Sequence, residues 1–113
     1  MKIDSHSFGN ISMGGKIYTT DLIISPAKII NPWWRQEGHL LQMVDLREII
    51  EESFDLLIIG IGYYGRMKVS EKILHDLQKR GIDIRIELTP KAIDLFNKVS
   101  DYRKTVLCLH LSC

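Results

Sequence analysis

The chain has 113 residues, 45% hydrophobic and 26% charged, the composition of one globular domain that can fold on its own core. Its 15 basic and 14 acidic residues leave a net charge of +1, which excludes bulk electrostatic attraction to nucleic acid or to an anionic membrane. The most apolar stretch, Leu56 to Gly65, falls well short of the roughly 18–20 residues that cross a bilayer.

The opening M-K-I-D-S-H-S-F has neither the apolar core of a signal peptide nor the character of a transit peptide. The expectation is a cytoplasmic protein with no membrane span. From Ile3 to Phe8 the pattern alternates as in a strand, and Gly14-Gly15 marks a hairpin turn between I-S-M and K-I-Y-T. Short strands follow at Leu22 to Ser25 and Lys28 to Ile30, before Pro32 interrupts ahead of Trp33 and Trp34. The first third therefore reads as antiparallel and turn-rich.

The period then changes. Leu46, Ile49, Ile50 and Phe54 mark one face of a helix expected over Val44 to Ser53. Leu56 to Ile59 is a continuous apolar strand of the kind buried on both faces of a parallel sheet. Ser70 is placed to cap the next helix, Lys79 and Arg80 suit its negative end, and Gly81 stops it. Ile82 to Leu88 is a strand, Thr89 is expected to cap the last helix with Pro90 in its first turn, and Thr105 to Leu111 closes the chain as a strand. The β-α-β-α-β order implies right-handed crossovers. The fold class expected is α/β: one domain over residues 1–113, three-layered, with a central mixed, largely parallel sheet, helices on its faces and an N-terminal antiparallel β portion.

Gly60, Gly62 and Gly65 carry the G-x-G-x-x-G spacing of a dinucleotide turn. In that fold the turn runs directly into a helix whose N-terminus receives the pyrophosphate. Here Arg66 to Val69 intervene before the Ser70 cap, and the chain is too short for a second nucleotide-binding half. Glu87, at the end of the following strand, is the one feature that suits a ribose. The loop is therefore read as a shaped exit from a buried strand, displaying Tyr63, Tyr64 and Arg66.

Four motifs, W-W-R-Q-E-G-H (Trp33 to His39), I-G-I-G-Y-Y-G-R-M (Ile59 to Met67), T-P-K-A-I-D-L-F-N (Thr89 to Asn97) and L-H-L-S-C (Leu109 to Cys113), occur in order. Together they resemble the family of small single-domain proteins that includes the adipogenesis-associated protein and mitochondrial complex I assembly factor 3. The resemblance covers nearly the whole chain. It implies a three-layer fold with one strand antiparallel to the rest, a role in assembly for one relative, and no catalytic residues to carry over.

Four histidines show no metal spacing, and Cys108 and Cys113 are not a zinc framework. Five extended residues span about 16 Å, too far for a mutual disulfide. His110 alternates with Cys108 and Val106 and reads as a hydrogen-bonded core histidine, whereas His39 is the candidate acid or base. Neither a nucleophile elbow nor a paired-carboxylate arrangement is visible.

Two aromatic-plus-arginine groups remain. Trp33 and Trp34 are adjacent, so one packs inward and the other leans out. A non-catalytic protein-interaction or assembly-factor-like module, with an unidentified protein partner and no cofactor or metal, is the expected function, presenting Trp34, Arg35, Tyr64 and Arg66. The alternative is a small-molecule or anion site, with weak enzymatic chemistry at most, where Gly62, Tyr63, Arg66 and Thr89 meet the start of the last helix. The pattern favours no enzyme, offers no nucleic-acid surface, and is compatible with a homo-oligomer.

Overall fold

A computed structural model describes every residue from Met1 to Cys113. The chain opens with a small antiparallel sheet, β1 (Ser5–Ser7), β2 (Asn10–Met13) and β3 (Lys16–Tyr18). Gly14 and Gly15 both take positive φ at the β2–β3 turn, as a two-residue hairpin requires. Strands β4 (Leu22–Ile24) and β5 (Ile29–Ile30) then enter the central sheet, which is completed by β7 (Leu56–Gly60), β9 (Asp83–Glu87) and β10 (Thr105–Leu109). Between them lie β6 (Leu40–Leu41), β8 (Lys68–Val69), α1 (Glu71–Lys79) and α2 (Thr89–Val99).

The central sheet has the order β5-β4-β10-β7-β9. Strands β10, β7 and β9 are parallel, while β4 runs antiparallel to both of its neighbours. All five residues of β7 and of β10 are buried, as expected for central strands covered on both faces. Their side chains alternate between two cores. Leu56, Ile58, Leu107 and Leu109 join Ala92, Ile93 and Phe96 of α2 beneath the N-terminal sheet. Leu57, Ile59, Val106 and Cys108 join Ile73 and Leu77 of α1 on the other face. Each fully buried Ile, Leu or Phe contributes about 1.5–3 kcal/mol, so this double-sided sheet is the main source of stability.

Two local expectations are corrected. Residues 44–53 are not one α-helix: Met43–Leu46 is a 3-10 turn, followed by hydrogen-bonded turns through Glu52. The buried Asp45 explains the change. Its carbonyl accepts the Trp33 indole N–H at 3.0 Å, and its carboxylate accepts the backbone amides of Gln36 and Gln42. A helical Asp45 would give that carbonyl to Ile49, whose amide instead reaches Leu46.

The second correction concerns Thr89, which does not cap α2; Leu88 occupies the cap position without a side-chain bond. The Thr89 hydroxyl instead donates to the His110 carbonyl at 2.7 Å and accepts the Gly62 amide at 2.9 Å. Ser70 caps α1 as expected, accepting from the Lys72 amide. Residues Lys68 and Val69 form β8, so the glycine turn is separated from the helix by a strand.

Candidate functional site

Open parallel sheets carry their sites beyond the carboxyl ends of the strands. Here that end gathers the glycine loop after β7, the start of α2 after β9, and the segment His110 to Cys113 after β10. Because β4 is antiparallel to β10, with Leu22 opposite Leu109, the residue before β4 lies beside the residue after β10. Those residues are Asp21 and His110.

Asp21 is a hub. Its Oδ2 accepts from the Arg35 guanidinium at 2.7 Å and from His110 Nδ1 at 2.8 Å, and its Oδ1 accepts the Leu111 amide at 2.8 Å. Arg35 and His110 both converge on that oxygen as donors, so their 3.4 Å approach is a shared acceptor and not a bond between them. Burial pushes the Asp21 carboxyl upward, but the His110 imidazole, the Leu111 amide and the Arg35 guanidinium outweigh it and hold the carboxyl below its ordinary range.

Arg35 reaches this position because its loop is tied down at several points. The Trp33 amide bonds the Asp21 carbonyl, and the Asn31 side chain bonds Thr20. Arg35 in turn donates to the Gly38 carbonyl and stacks over the Trp33 ring, 4.7 Å from its centroid. Its side chain is only 5% exposed. His110 is also buried, and the ring of His39 stands edge-on to it at 5.5 Å. Arg35 Nη1 and His110 Nε2 are buried and have no hydrogen-bond partner in the chain. Both residues line a cleft of about 260 Å³ together with Asp21, Trp33, Trp34 and Ser112.

At the glycine loop, where the alternative anion site is expected, the glycines are closely packed. A Cβ on Gly60 would meet Leu109, Ala92 and Thr89, and one on Gly62 would lie on the Cys113 backbone. Tyr63 and Arg66 donate their amides to Ser112 and Cys113. None of the clefts on the surface is lined by Gly62, Tyr63, Arg66 or Thr89. Tyr63 anchors this packing through its hydroxyl, 2.7 Å from His6 Nδ1, and burial raises its phenol above the ordinary value.

The other sequence-singled residues divide cleanly. Trp33 is buried and Trp34 is 74% exposed. Arg35 turns inward to Asp21, so it does not belong to an exposed aromatic surface. Tyr64 is 75% exposed, stacks at 5.7 Å on the half-exposed Phe8, and stands beside the exposed Arg66, which makes no ion pair. The two aromatic groups do not touch each other; they flank the same strip, His110 to Cys113, from opposite sides. His39 is exposed and contacts His110. Asp21 and His110 were missed as site residues. The signal was present: each is a polar residue abutting an apolar strand, and antiparallel pairing of those strands sets the two side by side.

The family model described as a protein of unknown function (DUF498/DUF598) matches residues 3–110. The chain belongs to that family. Solved structures agree in fold. A conserved hypothetical protein, PH1505 from Pyrococcus horikoshii OT3, superposes with a TM-score of 0.81 at 24% identity, covering 100% of both chains. The protein MT938 superposes at 0.80 with 22% identity, covering 99% of this chain and 98% of its own. A protein described as an outer membrane protein from Bartonella henselae superposes at 0.81 with 21% identity, covering 98% and 94%. At these identities the likeness establishes the mixed α/β fold. No helix of the present chain is long and apolar enough to cross a membrane.

Proposed function

We propose that the protein is a non-catalytic interaction module that captures a protein partner on the surface formed by Phe8, Trp34, Tyr64 and Arg66. The observation that carries this reading is the exposure of Trp34 and Tyr64, 74% and 75%, on either side of one terminal strip. Aromatic residues and arginine dominate binding energy where proteins meet, because they bury large area at low entropic cost. Arg66, free of any ion pair, suits a partner that presents a carboxylate beside an apolar groove. Assembly of a larger complex, as the resemblance to an assembly factor implies, is the finer form of the same reading.

The test is a photo-crosslinking residue placed at Tyr64, with a second at Ile17 on β3, which is 68% exposed. The expected result is one defined protein adduct from Tyr64 and none from Ile17, lost in the Tyr64→Ala, Arg66→Ala double variant while its melting temperature is unchanged. Equal adducts from both positions would remove the proposed surface.

A further inference from the structure

We propose that the cleft between the Trp33–Gly38 loop and the His110–Ser112 strip binds a small monocarboxylate, its oxygens held by Arg35 Nη1 and His110 Nε2.

Those atoms are the starting point. Each is buried without a partner in the chain, and a buried unpaired polar group costs about 1–3 kcal/mol, more when charged. The rest of both side chains is fully committed. His110 Nδ1 is held by Asp21, which leaves Nε2 as the free nitrogen on the far side of the ring. Arg35 spends Nε and Nη2 on Gly38 and Asp21, which leaves one guanidinium nitrogen for a ligand. A carboxylate spans two such donors with its two oxygens.

Charge selects the ligand class. Nε2 donates only when the imidazole is protonated, so the bound state sets two cations against the Asp21 carboxylate and leaves one net positive charge. That balance suits a monoanion and disfavours a dianionic phosphate. The groups facing His110 are Asp21 from the approach to β4 and Arg35 and His39 from the loop before β6, while the glycine loop sets Gly62 close to its ring. Shape narrows the choice further. The walls include Pro32, Trp33 and Trp34, which favour a flat or apolar tail, and about 260 Å³ lies below the roughly 300 Å³ at which drug-sized sites begin. A larger cleft of about 510 Å³ sits at the opposite end of the sheet, near Ile24, Tyr102 and Thr105, and contains neither unpartnered atom.

The experiment is an NMR titration of the intact protein with benzoate, following the His110 ring nitrogens and the Arg35 guanidinium. Saturable binding with a Kd on the order of 1 mM or below, shifting both groups, is the expected result. Arg35→Gln risks the fold by stranding Asp21, so the variant of choice is Trp34→Ala, which leaves the fold intact and weakens benzoate several-fold. Absence of saturation, or shifts that spare His110, overturns the site. Equal binding of benzamide or of inorganic phosphate overturns the monocarboxylate assignment.

Discussion

Asp21 and His110 lie 89 positions apart and share a hydrogen bond of 2.8 Å. Neither belongs to a strand; each caps the end of one, and the antiparallel pairing of β4 with β10 makes them neighbours. The same carboxylate also holds Arg35 and the Leu111 amide. It therefore joins the entry to β4, the tryptophan loop and the terminal strip at a single point.

Removing that charge strands Arg35, whose side chain is 5% exposed. Loss of one member of a buried ion pair is strongly destabilising, because the other charge remains desolvated. Asp21→Asn keeps an acceptor for the Leu111 amide, so its cost falls at the low end of that range, about 3 kcal/mol. Urea denaturation checks this, with a lowered midpoint and an unchanged slope as the expected outcome.

The same residue sets an acid limit on stability. The native Asp21 carboxyl is held below its ordinary value, while in the unfolded chain it titrates near about 3.9. A depressed native pKa stabilises the fold fully above the unfolded value, and the contribution is lost as pH falls through the native one. The stability difference between wild type and Asp21→Asn should hold above about pH 5 and shrink below about pH 4. The carboxyls of Asp76 and Asp101 are also depressed, by Lys72 and Lys2, but both proteins share them and they cancel in the difference. A gap that persists unchanged to about pH 2 would remove Asp21 as the titrating group.

The architecture was legible because its signals are local. The β7 run is apolar throughout, Ser70 and Gly81 bracket α1, and Gly14-Gly15 turns the first hairpin. The missing helix at 44–53 was not legible, since what prevents it is the distant Trp33 indole on the Asp45 carbonyl. Thr89 is not legible for the same reason: its hydroxyl serves the His110 carbonyl just beyond β10 and not its own helix. In the site, the aromatic pairs announce themselves by composition, but the inward turn of Arg35 is not legible, because the acid it pairs with is not the nearby Glu37. Its acid, Asp21, lies 14 positions away at the entry to β4.

Trp33 and Trp34 give the sharpest contrast between adjacent residues. Trp33 packs among Leu41, Leu46 and Ile49, supports Arg35 with its ring face and donates its indole N–H to Asp45. Trp33→Ala should cost about 3–5 kcal/mol, and the Asp45-centred turn should loosen with it. Trp34 is 74% exposed, so Trp34→Ala should stay within about 0.5 kcal/mol of wild type. Thermal melts of the two variants side by side test this, and similar losses in both would mean that Trp34 is packed in solution.

The glycine loop supplies the other paired comparison, and there the distinction is between soft and hard neighbours. A methyl on Gly60 would approach the Leu109 side chain at 2.8 Å, and a side chain of that length can turn aside at a cost of about 1–3 kcal/mol. A methyl on Gly62 meets the Cys113 backbone and sits at a φ of +107°, which residues other than glycine rarely adopt. Steric conflict and backbone strain add there, so Gly62→Ala should lose about 3 kcal/mol or more. The two variants should also differ in where they loosen. Gly62→Ala pushes the terminal strip away from the loop, breaking the Tyr63 amide bond to Ser112 and the Arg66 amide bond to Cys113. Amide exchange at Tyr63 and Arg66 should therefore accelerate in Gly62→Ala beyond its global loss of stability, and in Gly60→Ala only in proportion to it. Proportional acceleration in both would show that the strip is held by the cleft on its other side, through Asp21 and Leu111, and not by the glycine loop.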